Sequence, residues 1–288
     1  MKHHIQLLLI DPQNDFCDLP EAWQGSDPLS GQRIAPALPV QGAHADMQRL
    51  AALMEAGQAG LSQVVVTLDS HHPYDVAHPA YWQQGDGAPV VPFTTIAAQQ
   101  VRDGQFRTRD ASAQARTLHY LDALEAQGRY GLMVWPVHCE IGTWGHNVHA
   151  AVQRACRAWE VAQLRTVQVV HKGLNPHTEH YSALQAEVPD AADPDTQLNR
   201  RLIAELDRAD VLLIAGEASS HCVKATTEHL VDNLPSGVLE KIILITDAMS
   251  PVGGFDAQAQ AFIDTMRGRG LRLATAAEVL PLLQANAR

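Results

Sequence analysis

The chain has 288 residues, 46% of them hydrophobic and 18% charged, with a formal net charge of −11 at pH 7. That length suffices for one large core, the acidic balance argues against nucleic acid or an anionic membrane as the main partner, and no apolar run approaches a membrane span. Met1-Lys2-His3-His4 runs straight into an apolar segment, so no signal peptide is expected and a cytoplasmic location follows. Cysteines stand at 17, 139, 156 and 222 without a CxxC pair, which predicts reduced thiols rather than a disulfide framework.

The predicted elements alternate. Ile5–Ile10 reads as a strand and is followed by a helix around Ala43–Ala56, with Met47, Leu50, Leu53 and Met54 on one face. A strand at Val64–Leu68 comes next, and later a helix at Val148–Val161. Val167–Val170 precedes the helical spacing of Leu198–Leu206, Val211–Ala215 precedes a helix at Cys222–Val231, and Ile242–Ile245 precedes Ala257–Met266. Leu271–Leu273 leads into a last helix, Ala276–Leu283. Short continuous apolar strands between amphipathic helices predict an α/β fold, a three-layer α/β/α sandwich around a mainly parallel sheet. The reading is one domain, 1–288, with an insertion at about 83–130 that holds a helix near Ala111–Ala126. Cys17–Pro39 and Gln185–Asp195 read as loops, and excursions of this length tend to be covers or assembly surfaces. A homo-oligomer joined through helices is an expectation of the same kind.

Each apolar run ends in a side chain able to do chemistry. Asp11 follows the first, Asp69-Ser70-His71 ends the second, and His78 comes soon after. Trp135-Pro136-Val137-His138-Cys139 follows Leu132-Met133-Val134, His171-Lys172 ends another run, and Gly216–Cys222 ends the next. Carboxyl ends of parallel strands meet along one edge of a sheet, so these groups are expected to converge. Cys222 falls at a strand-to-helix turn, where a helix N-terminus favours the thiolate. Lys172 can supply a positive charge to it, and Asp11 can take the thiol proton and pass it to a leaving group. Each also has a plainer reading: Cys222 as a small core residue, Asp11 as a turn former, Lys172 as a surface lysine.

Asp69 and His71 stand two residues apart and share one side of an extended segment. With His138 and His78 they would make a mixed nitrogen and oxygen set for one divalent metal ion, zinc first, with iron or manganese as alternatives. The plainer reading is that His71 and His72 are loop histidines.

The ordered set D-P-Q-N-D-F at 11–16, D-x-H at 69–71, W-P-x-H-C at 135–139, the strand-end Lys172 and G-E-A-S-S-H-C-V at 216–223 resembles the cysteine hydrolases of the isochorismatase-like superfamily, in particular its nicotinamidase branch. The resemblance touches about 11–82 and 131–250. It implies a catalytic triad of Asp11, Lys172 and Cys222, and a cis peptide between Glu217 and Ala218. It further implies an oxyanion hole from the Ala218 and Cys222 amides and metal ligation by Asp69, His71, His138 and His78. Phe16, Trp135 and, after a two-residue shift, Tyr181 would be substrate-binding walls. The implied activity is hydrolysis of a small-molecule amide, nicotinamide to nicotinate and ammonia.

Two departures keep alternatives open. Ser219-Ser220 stand where such proteins usually show Thr-Asp, and the stretch between His71 and His138 is far longer than in compact nicotinamidases. An amidase of the same superfamily acting on a ureido, carbamoyl or small aliphatic amide is one alternative, and a non-catalytic binding protein of the same fold is the other. A nucleotide-binding protein is set aside for want of a GxGxxG or P-loop signature.

Overall fold

The computed structural model describes residues 2–287. In chain order, β1 (Ile5–Ile10) is followed by the two-residue strands β2 (Gly25–Ser26) and β3 (Arg33–Ile34), helix α1 (Ala43–Gly57) and β4 (Gln63–Asp69). Short strands β5 (Trp82–Gln84), β6 (Thr94–Ile96), β7 (Phe106–Thr108) and β8 (Leu132–Val134) surround helices α2 (Ala98–Arg102) and α3 (Gln114–Gln127). The alternation then resumes with α4 (Ala150–Gln163), β9 (Gln168–Lys172), α5 (Arg200–Leu206), β10 (Val211–Gly216) and α6 (Cys222–Asn233). Last come β11 (Ile242–Ile245), α7 (Asp256–Gly268), β12 (Arg272–Ala274) and α8 (Ala276–Asn286).

Six strands form one parallel sheet in the order β12-β11-β10-β1-β4-β9. Alternate residues of the apolar runs feed opposite faces, so both faces need cover. Leu7, Leu9, Val64 and Val66 pack under Met47, Leu50, Trp159 and Leu283 of α1, α4 and α8. Leu8, Ile10, Val65 and Leu212 pack under Leu202, Val223, Leu230 and Phe262 of α5, α6 and α7. These layers are the expected three-layer sandwich. No helix among the described residues is long and apolar enough to cross a membrane.

The expected element boundaries shift by a few residues where caps decide them. α4 begins at Ala150, because the His149 side chain accepts a hydrogen bond from the Ala151 amide and ends the extended approach. α3 begins at Gln114, after a single 3-10 turn over Ala111–Ala113.

One expectation about the strands is corrected. Leu132–Val134, read as a sheet strand like the others, lies outside the central sheet and pairs antiparallel with β6. It belongs to a separate apolar cluster built from Tyr81, Trp82, Ile96, Tyr120, Leu121 and Val134. Three apolar residues are too few to show which partner they will take. Trp135 and His138 therefore reach the sheet edge from outside it, tied down where the Trp135 amide donates to Ala77 O at 2.7 Å and the His71 amide to Cys139 O at 3.1 Å.

Gly216 ends β10 with φ +124, and a Cβ there would lie 1.9 Å from the carbonyl oxygen of Ile10 on the neighbouring strand. Gly216→Ala is expected to cost about 3 kcal/mol or more of stability, since backbone in two central strands would have to move. Urea unfolding followed by circular dichroism measures this, and a loss below about 1 kcal/mol would refute the steric argument.

Candidate active site

β1 ends at Ile10, and Asp11 turns out of the sheet with φ 45, a left-handed conformation uncommon for residues other than glycine. The neighbouring strand holds that turn. The Asp11 amide donates to Thr67 O at 3.2 Å and Thr67 Oγ1 at 3.1 Å, while Thr67 Oγ1 donates to Asp11 Oδ1 at 2.5 Å. Lys172 is the last residue of β9 and lies in register with Asp69 at the end of β4. Its Nζ stands 2.9 Å from Asp11 Oδ2, 2.8 Å from Asp69 Oδ1 and 3.5 Å from Cys222 Sγ. All four side chains are buried.

Burial shapes their protonation. Burial would lower the Lys172 ammonium, yet Asp11 and Asp69 hold it well above the ordinary lysine value. Burial raises the Asp11 carboxyl, with Lys172 pulling the other way. Burial also pushes the Cys222 thiol well above its usual value, against the pull of Lys172. Burial therefore works against the thiolate that a helix N-terminus and Lys172 favour. Asp11 is among the charged groups that act on the Cys222 thiol.

The Glu217–Ala218 peptide is cis. Among the described residues, neither the Ala218 nor the Cys222 amide donates to a backbone carbonyl, so both are free to serve a ligand atom.

Next to these four side chains stands a group of buried histidines that could hold a metal ion. His71 Nε2 lies 3.2 Å from Asp69 Oδ1, His138 Nε2 3.5 Å from Asp69 Oδ2, and His78 Nε2 3.2 Å from His138 Nδ1. In each ring the other nitrogen is engaged: His71 Nδ1 with Asp75 Oδ2 at 3.1 Å, His78 Nδ1 with His72 O at 3.0 Å, His138 Nδ1 with Pro136 O at 2.8 Å. This is how outer partners orient ligating histidines, and it leaves the Nε2 atoms of His71 and His138 facing Asp69, with His78 Nε2 against His138 Nδ1. Ligating nitrogens of the three rings can all lie within 4.8 Å of one another. His71 Nε2 is buried without a hydrogen-bond partner, 3.2 Å from Asp69 Oδ1, an oxygen that Lys172 Nζ also holds at 2.8 Å. Ligands on a tetrahedral ion at about 2.0–2.1 Å stand roughly 3.3 Å apart, close to the Asp69–His71 and Asp69–His138 separations, so these residues fit one.

Burial would lower His71, but Asp69 and Asp75 hold it well above the ordinary histidine value, whereas burial and the two flanking histidines press His78 down to about 3. Burial would raise Asp69, but His71 and Lys172 keep it well below the usual carboxylate range. An ion bound through His71 would have to displace its proton, so its affinity would fall as pH falls.

A narrow cavity of ≈ 30 Å³ opens onto both groups, touched by Asp69, His138, Ala218 and Cys222. Phe16, Trp135 and Tyr181 are among its walls. Trp135 Nε1 donates to Tyr181 Oη at 3.2 Å, and the Phe16 ring lies 5.4 Å from that of His138. Lys172, Asp11, His71 and His78 stand behind this surface.

Sequence reasoning missed Glu179, Leu38, Val252 and the inward placement of His221, which also line the cavity. Glu179 is fully buried; its Oε1 accepts from the His180 amide at 2.9 Å, its Oε2 has no partner, and burial raises its carboxyl. It comes from the irregular stretch after β9, where periodicity carries no information. The run Glu179-His180-Tyr181, polar and aromatic within a loop, was the one available signal.

No family model matches the chain, and no curated protein matches it. Solved structures do. A nicotinamidase/pyrazinamidase of Acinetobacter baumanii superposes with a TM-score of 0.61 at 19% identity, over 96% of this chain and 98% of that one. A pyrazinamidase of Pyrococcus horikoshii, solved in complex with zinc, gives 0.52 at 16% identity over 94% and 99% of the two chains. An isochorismatase-like hydrolase of Alkaliphilus metalliredigens gives 0.50 at 14% identity over 98% of each. With a parallel sheet of six strands between two helical layers, and with near-complete coverage of these proteins, the chain has the isochorismatase-like fold.

Proposed function

We propose that the protein is a metal-containing cysteine amidohydrolase that converts nicotinamide and water to nicotinate and ammonia through a thioester on Cys222. The observation that carries this reading is the buried contact of Lys172 Nζ with Asp11, Asp69 and Cys222, on a cavity that also reaches the histidine set. A purely structural cluster would have no need to place a thiol there. Asp69, His71, His138 and His78 would hold one divalent ion, which would supply an anchor for a ring nitrogen. Zinc suits this donor set, with iron or manganese as alternatives.

The protein groups account for the proton and charge movements. Phe16, Trp135 and Tyr181 confine the ring so that the carboxamide faces Cys222. As Sγ adds to the carbonyl, the thiol proton passes to Asp11. The Ala218 and Cys222 amides donate to the oxyanion, a contribution of about 3 kcal/mol per donor. Asp11 hands the proton to the departing nitrogen, ammonia leaves, and the acyl group remains on sulfur. Asp11 then takes a proton from water, which attacks the thioester; Sγ recovers a proton and nicotinate is released. Lys172 stays cationic throughout and balances the charge shared among Asp11, Asp69 and sulfur.

Ammonia release from nicotinamide by the metal-loaded protein is the direct test, and its absence would sink the nicotinamide assignment. A second reading, an amidase for ureido, carbamoyl or small aliphatic amides, is favoured by His221 projecting into the cavity from the Ser219-Ser220-His221 departure. A substrate panel separates the two.

His71→Ala should lower bound metal, read by elemental analysis, and raise KM for nicotinamide by about tenfold or more. Chelation of the wild type should do the same and be reversed by adding back the ion. Full activity in metal-free protein would show that the ring is not anchored through this set.

A further inference from the structure

Beyond the catalytic cavity lies a second chamber of ≈ 300 Å³, against ≈ 30 Å³ for the first. Trp135, Tyr181 and His221 line both, so the two spaces adjoin along a shared edge of rings. The His221 ring stands 5.5 Å from Trp135, 5.2 Å from Tyr181 and 4.7 Å from Phe255. Its Nδ1 lies 2.9 Å from Ser220 Oγ, which fixes the ring in this wall.

The chemistry of the larger chamber is specific. Arg129 and Lys224 line it, and no carboxylate does. Their acidic partners stand outside the lining: Glu187 lies 3.2 Å from Arg129, and Glu228 lies 2.9 Å from Arg129 and 3.1 Å from Lys224. Tyr130 lies under both cations, 5.5 Å from Arg129 and 4.7 Å from Lys224, and Lys224 Nζ donates to its hydroxyl at 3.2 Å. Burial raises the Glu187 carboxyl to about 7, which weakens the compensation of the two cations near neutral pH. In a chain of net charge −11, a half-enclosed chamber lined by cations and aromatic rings is an unusual local environment. Such a field favours an anionic group with a short, flat or apolar linker.

We propose that this chamber binds a carboxylate carried by the amide substrate itself, with Lys224 and Arg129 holding the carboxylate while the scissile carbonyl faces Cys222. The proposal rests on the amidase reading and narrows it to amides that carry a second, anionic group. Contacts remote from the reacting carbonyl would position the substrate and supply binding energy that an unsubstituted ring lacks.

The test is a series of carboxamides bearing a terminal carboxylate on chains of increasing length, each paired with its methyl ester. For the wild type, kcat/KM of at least one acid should exceed that of its ester about tenfold or more, the worth of one charge-assisted hydrogen bond. Lys224→Gln should bring the ratio towards one, and Lys224→Arg should restore most of it. A ratio at or below one for every pair, or a preference unaltered in Lys224→Gln while its melting temperature is retained, would overturn the proposal. Equilibrium binding of the same pairs to Cys222→Ala, followed by quenching of tryptophan fluorescence, reads the chamber without chemistry. Acids that bind more tightly than esters yet are never hydrolysed by the wild type would uphold the chamber and defeat the amidase reading. Equal binding of acids and esters would defeat the chamber, whatever the activity.

Discussion

Cys222→Ala is expected to release no ammonia from nicotinamide above the uncatalysed background, a fall in kcat of about 10⁴-fold or more. The reasoning is local. Alanine leaves the α6 N-terminus, the cis peptide at 217–218 and the Lys172–Asp11–Asp69 cluster without their sulfur, and no other cysteine lines the cavity. Cys139 is fully buried and its thiol is pushed up by burial and by Asp69; Cys17 is likewise buried, so neither offers a substitute nucleophile. The variant should fold and bind metal as the wild type does, because the site loses one atom and no charge. Mass spectrometry of wild-type enzyme quenched during turnover should find one nicotinoyl group on the peptide containing Cys222. Turnover by the variant within a hundredfold of the wild type would remove the covalent step from the mechanism.

Lys172→Met should have the largest effect on stability. The substitution keeps most of the side-chain volume but strands Asp11 and Asp69, both buried, without the ammonium between them. Breaking a buried ion pair by removing one partner costs about 3–5 kcal/mol. Activity should vanish as well, since Sγ loses its cation.

The pH dependence of that cost follows from sign. In the variant, the carboxyls lose the charge that lowered them, so a folded-state value rises above the unfolded one. Such an acid destabilises the fold above its folded pKa, and the penalty fades as pH falls through it. Metal-free Lys172→Met should therefore recover stability relative to the wild type as pH falls from neutrality towards the ordinary carboxylate range. In the wild type, Asp69 is held well below its usual range. Its contribution has the opposite sense: it is present above the unfolded carboxylate value and lost only as pH falls through the depressed one. Urea titrations at several pH values measure both, and Lys172→Met/Asp11→Asn should regain part of the loss. A destabilisation under about 1 kcal/mol at pH 8 would mean that water or a proton already compensates these carboxylates.

The layered α/β architecture was legible in the sequence because its cause is local. Ile5–Ile10, Val211–Gly216 and Ile242–Ile245 are apolar at nearly every position, which only a strand covered on both faces requires, and the helices between them repeat apolar residues along one face. The strand-end positions of Asp11, Asp69, Lys172 and Cys222 were readable for the same reason: a parallel sheet brings its carboxyl ends to one edge.

What the tertiary structure decided arises between segments far apart in the chain. β8 joins a ribbon rather than the sheet, because three apolar residues carry too little pattern to select a partner. Glu179 and Tyr181 enter the cavity from an irregular loop with no period to read, and His221 is held at the cavity edge by the rings of Trp135, Tyr181 and Phe255. The helix end beside Cys222 was readable, but the burial that works against its thiolate was not. Residue type and spacing carried the identity of the reactive groups, whereas their protonation and the shape of the space before them depend on desolvation and packing, which no local stretch of sequence encodes.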